Sequence, residues 1–225
     1  MSRKKNIGKY QQQQKLEQIK AEKKKRTLKI VGVLAAILVV AALVGVLIWC
    51  DGKVDTSDAV KVALDVKDYG TITLELYPNE APITVENFLD YVKEGFYDGL
   101  IFHRVIESFM IQGGDPTGTG YGDSSLEKIK GEFYNNGVDN DLKFERGVIG
   151  MARSDDPNSA SSQFFIMHQT NTDLDGAYAA FGRVISGMDV VDKIATCEKT
   201  EQIDSGGNRY VPATNVVIEK AYIVE

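Results

Sequence analysis

Two periods of apolar residues follow one another along the chain after residue 58. Strict alternation over residues 59–66 and again over 71–77, across a short polar turn, predicts a β-hairpin. From Thr84 to Gly95 the apolar residues recur at helical spacing instead, which predicts a helix of about ten residues. The same spacing over residues 189–199 predicts a second helix.

Short strands account for most of the remaining pattern. The sequence predicts them at residues 102–112 with a break at 107–108, and at 144–153, 162–167, 181–184 and 216–224. In residues 162–167 both faces are apolar, because Phe165 and Met167 share one face with Gln163 while Phe164 and Ile166 take the other. This is typical of a barrel strand whose outer face lines a groove. Many short strands with only two helices indicate a mainly β domain, a closed antiparallel barrel.

An apolar segment precedes this domain. Residues 30–50 are 21 residues without a charge or a proline, the length that crosses the hydrocarbon of a bilayer as a helix. The sequence therefore predicts one transmembrane helix before the β domain, with Trp49 at the interface. The run is too long for a cleaved signal peptide, so an uncleaved signal anchor is favoured. A lipoprotein modified at Cys50 is the competing interpretation, and the bulky Trp49 disfavours it.

Charge is distributed unevenly about this segment. Residues 1–29 hold 11 Lys and Arg against 2 Glu, whereas the remainder holds 15 Lys and Arg against 30 Asp and Glu. By the positive-inside rule, the basic segment 1–29 stays in the cytoplasm, and the linker 51–58 and the domain 59–225 lie outside the cell membrane. An inverted orientation is the alternative. The lysines suit contact with anionic lipid, and continuity with the apolar segment favours lipid over nucleic acid.

The stretch 102–115 holds the most unusual chemistry of the domain. Arg104 and Gln112 stand among large apolar residues, and paired glycines follow them. Alternation places Phe102 on the same face as Arg104, and Met110 on the same face as Gln112. An arginine with apolar neighbours predicts a surface groove that contains one polar group. A barrel strand whose arginine merely reaches solvent is the alternative.

Familiar catalytic sets do not occur in the sequence pattern. His103 and His168 are far apart in β patterns and lack the spacing of metal ligands. The glycine-rich loop 116–123 lacks the lysine and the helix start of a phosphate-binding loop. The serines of residues 159–162 lack the context of a nucleophile elbow. We therefore predict no metal, no cofactor and no covalent intermediate, and two cysteines are too few for a disulfide framework.

Three motifs together resemble the cyclophilins. They are FHRVIESFMIQGGD from Phe102, MARSDDPNSASSQFFIM from Met151 and LDGAYAAFGRV from Leu174. The resemblance covers essentially all of residues 59–225, in the family's order and spacing. It implies a peptidyl-prolyl cis-trans isomerase that acts on proline-containing polypeptides and folds as an eight-stranded barrel capped by two helices. With the membrane segment, this implies assistance to the folding of exported proteins.

The resemblance also implies a role for individual residues. Arg104 matches the family's catalytic arginine, and Gln112 matches a glutamine that supports it. The substrate-binding positions that it implies are Phe109, Met110, Ala152, Arg153, Gln163, Phe165, Leu174 and Tyr178.

Three positions depart from the best-known members of the family. Arg153 stands where they have Asn, Asp173 where they have Trp, and Tyr178 where they have His. The first two are similar to bacterial-type cyclophilins. Because the Trp is a main contact for cyclosporin in the family, its absence implies weak binding of the drug. The departures leave open a second function, a membrane-tethered proline-peptide binding module or chaperone with weak turnover.

Overall fold

A computed structural model of the chain describes residue 54 and residues 56–200 and 210–224. The predicted basic segment 1–29, the predicted transmembrane helix 30–50 and part of the predicted linker lie outside the described residues. Among the helices that are described, none has the length and apolar character needed to cross a bilayer.

Eight strands and two helices form the described part, and all of them were predicted from the hydrophobic pattern. The strands are β1 (Val60–Val66), β2 (Gly70–Leu76), β3 (Arg104–Ile106), β4 (Met110–Gly113), β5 (Val148–Met151), β6 (Phe164–Met167), β7 (Ala180–Ser186) and β8 (Ile218–Val224). The helices are α1 (Pro82–Lys93) and α2 (Met188–Ala195). Single 3-10 turns occur at Tyr134–Asn136 and Thr172–Leu174. The prediction of a mainly β domain is therefore confirmed.

The ends of the two helices follow from their sequences. Pro82 occupies the first turn of α1, where its missing N–H costs no hydrogen bond. The buried Glu132 accepts hydrogen bonds from the backbone N–H groups of Ile83 and Thr84, at 3.1 and 2.7 Å, and so takes the place of an N-cap side chain. The second helix ends at Ala195, before the predicted end at residue 199.

One antiparallel sheet contains all eight strands, in the order β3-β4-β6-β5-β7-β2-β1-β8. The predicted hairpin of β1 and β2 is present, with Val66 opposite Gly70 at the turn. The prediction of a closed barrel is wrong, because within the described residues no ladder joins β3 to β8. A bridge between Ile101 and Val217 and a few backbone hydrogen bonds, such as that from Phe102 N to the carbonyl of Val216 at 2.9 Å, connect the segments that precede these two strands. The free side of β3 instead contacts an irregular segment, since the backbone N–H of Val105 donates to the carbonyl of Tyr210 at 2.7 Å.

The sheet separates two hydrophobic clusters. The larger one, called the inner core here, lies between the sheet and the helices and includes Phe88 of α1, Val191 of α2 and Phe164 of β6. The smaller one, called the outer cluster, lies on the other face of the same strands and includes Met110, Phe165 and Met167. The predicted division of residues 162–167 into two apolar faces is confirmed.

Candidate active site

A groove on the outer cluster, with a volume of about 420 Å³, brings most of the predicted site residues together. Nine of the ten predicted residues line it: Arg104, Phe109, Met110, Gln112, Ala152, Arg153, Phe165, Leu174 and Tyr178. The tenth, Gln163, lines an adjoining depression of about 460 Å³, which shares Gln112, Gly120, Ala152 and Arg153 with the groove.

Strand register explains how distant residues meet in the groove. Arg104 of β3 pairs with Gln112 of β4, and Gln112 in turn pairs with Phe165 of β6. Paired residues point to the same face of a sheet, so the arginine, the glutamine and the phenylalanine follow one another across three strands. Met110, two residues before Gln112, points to the same face and is only 2 % exposed.

Apolar side chains form the floor of the groove. Phe165 stacks on Phe144, with ring centroids 5.4 Å apart and planes inclined by 22°. Tyr178 meets Phe165 edge-on at 5.8 Å. Gly150 permits this packing, because a Cβ there would lie 2.6 Å from the Phe144 ring and 2.8 Å from the Phe165 ring. Phe109 and Leu174 are partly buried and pack against the same cluster.

A chain of polar side chains forms one wall. Arg104 Nη1 donates to Gln112 Oε1 at 3.1 Å, and Gln112 Nε2 donates to Gln163 Oε1 at 2.9 Å. Gln163 Nε2 donates to the backbone carbonyl of Gly120 at 3.3 Å. Each amide accepts on one side and donates on the other, so the orientation of both glutamines is fixed. Arg104 also lies over the ring of Tyr210, with 5.2 Å from Cζ to the centroid.

The glycine-rich loop 116–123, which holds the Gly120 end of this row of polar side chains, is organised by Asp115. Asp115 is 1 % exposed. Its carboxylate accepts hydrogen bonds from the backbone N–H groups of Thr117, Thr119, Gly120 and Gly122. Burial acts to raise the pKa of Asp115, but these hydrogen bonds outweigh burial and hold the pKa below its usual value. Several amides of the glycine-rich loop therefore bind a carboxylate of the same protein.

Arg153 contributes to the opposite wall in an unexpected way. Its guanidinium lies 4.7 Å from the ring centroid of Tyr178 and 5.2 Å from that of Phe133. Nε and Nη2 donate to the carbonyl of Ala177 at 3.0 and 2.9 Å, and Nη1 donates to that of Ser154 at 2.7 Å. Arg153 thus supports Tyr178 through stacking and backbone hydrogen bonds.

Asp173, the third departure noted in the sequence, does not line the groove. It is exposed in the 3-10 turn Thr172–Leu174, and its backbone N–H is bound by the side chain of Asn171 at 3.0 Å.

Several groove residues were missed by the sequence analysis. They are His103, Thr119, Gly120, Tyr210 and Val211. Tyr210 and Val211 belong to no periodic segment, and Tyr210 is joined to β3 through its carbonyl, which accepts from Val105 N at 2.7 Å. No signal in the sequence pointed to either of them.

His103 is 6 % exposed, and neither of its ring nitrogens has a hydrogen-bond partner in the described structure. Burial lowers its pKa, which favours the neutral imidazole. Across the described residues, no group of three or more His, Cys, Asp or Glu side chains is placed to hold a metal ion.

Comparison with known proteins agrees with this geometry. Residues 61–223 match the family model for cyclophilin type peptidyl-prolyl cis-trans isomerases. A peptidyl-prolyl cis-trans isomerase of Acinetobacter baylyi is 46 % identical over 162 residues, which cover 70 % of this chain and 81 % of the relative. Peptidyl-prolyl cis-trans isomerase B of Escherichia coli is 40 % identical over 166 residues, covering 70 % of this chain and 96 % of the relative.

Solved structures give the same result. The crystal structure of a Cryptosporidium parvum cyclophilin type isomerase, determined in the presence of the dipeptide Ala-Pro, is 32 % identical with a TM-score of 0.64. The similarity covers 73 % of this chain and 99 % of the other. The chain belongs to the cyclophilin-type peptidyl-prolyl cis-trans isomerases, and it is an enzyme that catalyses this isomerisation.

Proposed function

We propose that the groove binds X-Pro segments of polypeptides with the proline ring on the apolar floor and the X-Pro amide beside Arg104. The observation that carries this proposal is the register of β3, β4 and β6, which places Arg104 and Phe165 on the same face of the sheet, two strands apart, with both side chains lining the groove. The floor offers an apolar surface to the ring, and Arg104 offers N–H donors to the amide. The relative crystallised with Ala-Pro supports a dipeptide of this kind as a ligand.

The catalytic step follows from the electronic structure of the amide. Rotation about the X-Pro bond crosses a barrier of about 18–20 kcal/mol, because amide resonance must be broken. As the bond twists, the lone pair returns to the prolyl nitrogen, which becomes a better hydrogen-bond acceptor. A donor placed at that nitrogen stabilises the twisted state more than either planar isomer. No covalent bond forms or breaks.

The size of the arginine's contribution is limited. A hydrogen bond that involves a charged group contributes about 1.5–3 kcal/mol. At about 1.4 kcal/mol for each factor of ten, this corresponds to about one to two decades of rate. The remaining acceleration comes from holding the proline in a water-poor groove and binding the twisted bond, a term of about 1–5 kcal/mol. The polar chain of Gln112 and Gln163 keeps the guanidinium in place for this purpose.

A protease-coupled assay tests the proposal. The purified domain and its Arg104→Ala variant are compared on short X-Pro peptides, with peptide binding measured in parallel. We expect kcat/KM to fall by about ten- to hundredfold while binding persists. If both proteins turn over equally slowly and both still bind the peptide, the domain is a proline-peptide binding module or chaperone instead.

We propose further that residues 30–50 anchor the enzyme in the cell membrane, with the isomerase domain outside and assisting exported proteins to fold. The support is the sequence alone: an uncharged segment of 21 residues preceded by a lysine-rich one. The test is protease treatment of intact cells after removal of any wall, followed by detection of the domain. Digestion is the expected result. If the domain is found in the membrane fraction but is protected from the protease, it lies in the cytoplasm. If the protein is recovered in the soluble fraction, residues 30–50 do not anchor it.

We also propose that cyclosporin binds weakly. At the position of the family's Trp the chain has Asp173, an exposed residue that does not line the groove. Inhibition of the coupled assay by the drug tests this, and we expect inhibition only at concentrations far above those of the enzyme. The Asp173→Trp variant is expected to be more sensitive. Equal, tight inhibition of both proteins would contradict the proposal.

A further inference from the structure

The turn between β3 and β4 contains an unusual backbone conformation next to a groove residue. Ser108 has φ = 62°, in the left-handed region that non-glycine residues rarely adopt. The following residue, Phe109, lines the groove. A residue held in such a conformation needs contacts from the surrounding structure that favour it.

His168, just after β6, supplies the first of these contacts. The backbone N–H of Ser108 donates to His168 Nδ1 at 2.9 Å. Because Nδ1 accepts this hydrogen, the neutral imidazole carries its proton on Nε2. The backbone adds two more bonds, since the N–H groups of His168 and Gln169 donate to the carbonyl of Phe109 at 2.9 and 3.2 Å.

The ring of His168 is held in turn from its other side. Its Nε2 lies 3.3 Å from Oδ1 of Asp192 on α2. Arg146 Nη2 lies 2.8 Å from both oxygens of that carboxylate, and Arg146 Nη1 donates to the carbonyl of His168 at 2.6 Å. The hydrogen bond from Arg146 lowers the pKa of Asp192, which keeps a negative charge beside the imidazole. The imidazole is thus fixed between a backbone amide and a charged pair.

We propose that His168 is a positioning residue of the isomerase, which holds the turn at Ser108 and thereby sets the place of Phe109 in the proline-binding groove. The proposal rests on the proposed function, since it takes Phe109 as a contact of the substrate proline. His168 does not line the groove, so it acts through Phe109 alone.

Two variants separate the two contacts of the ring. Oδ1 of Asn is as many bonds from Cα as Nδ1 of His, so His168→Asn retains an acceptor for the Ser108 N–H and loses the contact with Asp192. Nε2 of Gln corresponds in the same way to Nε2 of His, so His168→Gln retains the contact with Asp192 and has no acceptor atom at the position of Nδ1. His168→Ala loses both.

The experiment measures KM and kcat of these variants with an X-Pro peptide, together with their thermal unfolding. A displaced Phe109 weakens the binding of substrate and transition state alike, which raises KM and leaves kcat unchanged. We expect KM to rise by about three- to tenfold in His168→Gln and His168→Ala, and to remain near the wild-type value in His168→Asn. Asp90→Asn, which removes an exposed ion pair with Lys93 on α1, is the matched control and should change neither constant.

The outcomes distinguish the two proposals. If Phe109→Ala raises KM but His168→Gln and His168→Ala change only the thermal unfolding, His168 is merely structural and the positioning role is wrong. A His168→Asn variant as impaired as His168→Gln would likewise overturn it, because the Ser108 contact would then not matter. If Phe109→Ala itself leaves KM unchanged, Phe109 does not bind the substrate as the proposed function requires. The positioning role of His168 is then wrong as well.

Discussion

Phe164 and Phe165 are neighbours on β6 and lie on opposite faces of the same sheet. Phe164 is fully buried in the inner core, where the rings of Phe88, Tyr97 and Phe102 contact it edge-on. Phe165 is 6 % exposed and forms the floor of the groove. The same residue type therefore fills the inner core on one face and forms the floor of the groove on the other, because successive residues of a strand point to opposite faces.

The inner core and the outer face of the sheet also differ in the polar side chains beside them. The buried Glu132 at the start of α1 has its carboxylate satisfied locally, by two backbone N–H groups and by the hydroxyl of Thr84. On the outer face, Arg104, Gln112 and Gln163 form a chain along the groove at partial exposure. The polar groups of the outer face thus remain close to a ligand that enters the groove.

The largest expected effect comes from the matched pair Phe164→Ala and Phe165→Ala. Loss of the fully buried ring should reduce the free energy of unfolding by about 3–5 kcal/mol, because a cavity remains in the inner core. Loss of Phe165, which faces the groove, should cost about 2 kcal/mol and lower kcat/KM by about tenfold or more. Denaturant unfolding and the coupled assay, run where both variants are folded, measure the two quantities. If kcat/KM falls in Phe164→Ala as much as in Phe165→Ala, relative to the loss of unfolding free energy in each variant, the two faces do not differ in function.

The next largest effect is expected for a substitution of Asp115, which organises the glycine-rich loop 116–123. Its pKa is below the usual value of 3.8 in the folded protein, so the carboxylate stabilises the fold above that pH. This stability is lost as the pH falls below 3.8 through the folded-state pKa. We expect Asp115→Asn to lower the free energy of unfolding at neutral pH by about 1–3 kcal/mol and to flatten its decrease in acid. Parallel curves for the two proteins against pH would contradict this role.

The smallest effect is expected at Gln163. Gln163→Ala interrupts the chain between Gln112 and Gly120, and a neutral hydrogen bond contributes about 0.5–1.5 kcal/mol. We expect kcat/KM to fall by about three- to tenfold with little change in unfolding. Asn79→Ala, which removes an exposed side-chain amide outside the groove lining, is the control. A loss of activity in the control as large as that in Gln163→Ala would mean that the polar chain is unimportant.

Alternation and helical spacing predicted all the strands and helices because each of these elements has one face against an apolar cluster. The assignment of Phe102 to the face of Arg104 was wrong, since β3 begins only at Arg104 and Phe102 points into the inner core. Alternation holds within a strand and says nothing of the residue before it. The prediction of a closed barrel was wrong for a related reason. Between β3 and β8 the contact is made by residues outside the strands, at Ile101 and Val217.

Nine of the ten predicted site residues lie in the groove, but their assignment came from resemblance to a family and not from periodicity. The pattern of residues alone predicted only a groove that contains one arginine. It could not reach Tyr210 or Val211, whose places depend on backbone bonds between irregular segments. The resemblance assigned Arg153 to substrate binding. Arg153 lines the groove, and its guanidinium stacks on Tyr178 and donates to backbone carbonyls.

The central claim is that Arg104 stabilises the twisted amide and does not merely bind the peptide. Exchange NMR on an X-Pro peptide at saturating enzyme measures the cis–trans rate on the protein, and a titration of the same sample measures Kd. For Arg104→Lys and Arg104→Ala we predict on-enzyme rates about ten- to hundredfold below that of the wild type, with Kd changed only a few-fold. An unchanged on-enzyme rate, with the whole loss in Kd, would contradict the claim.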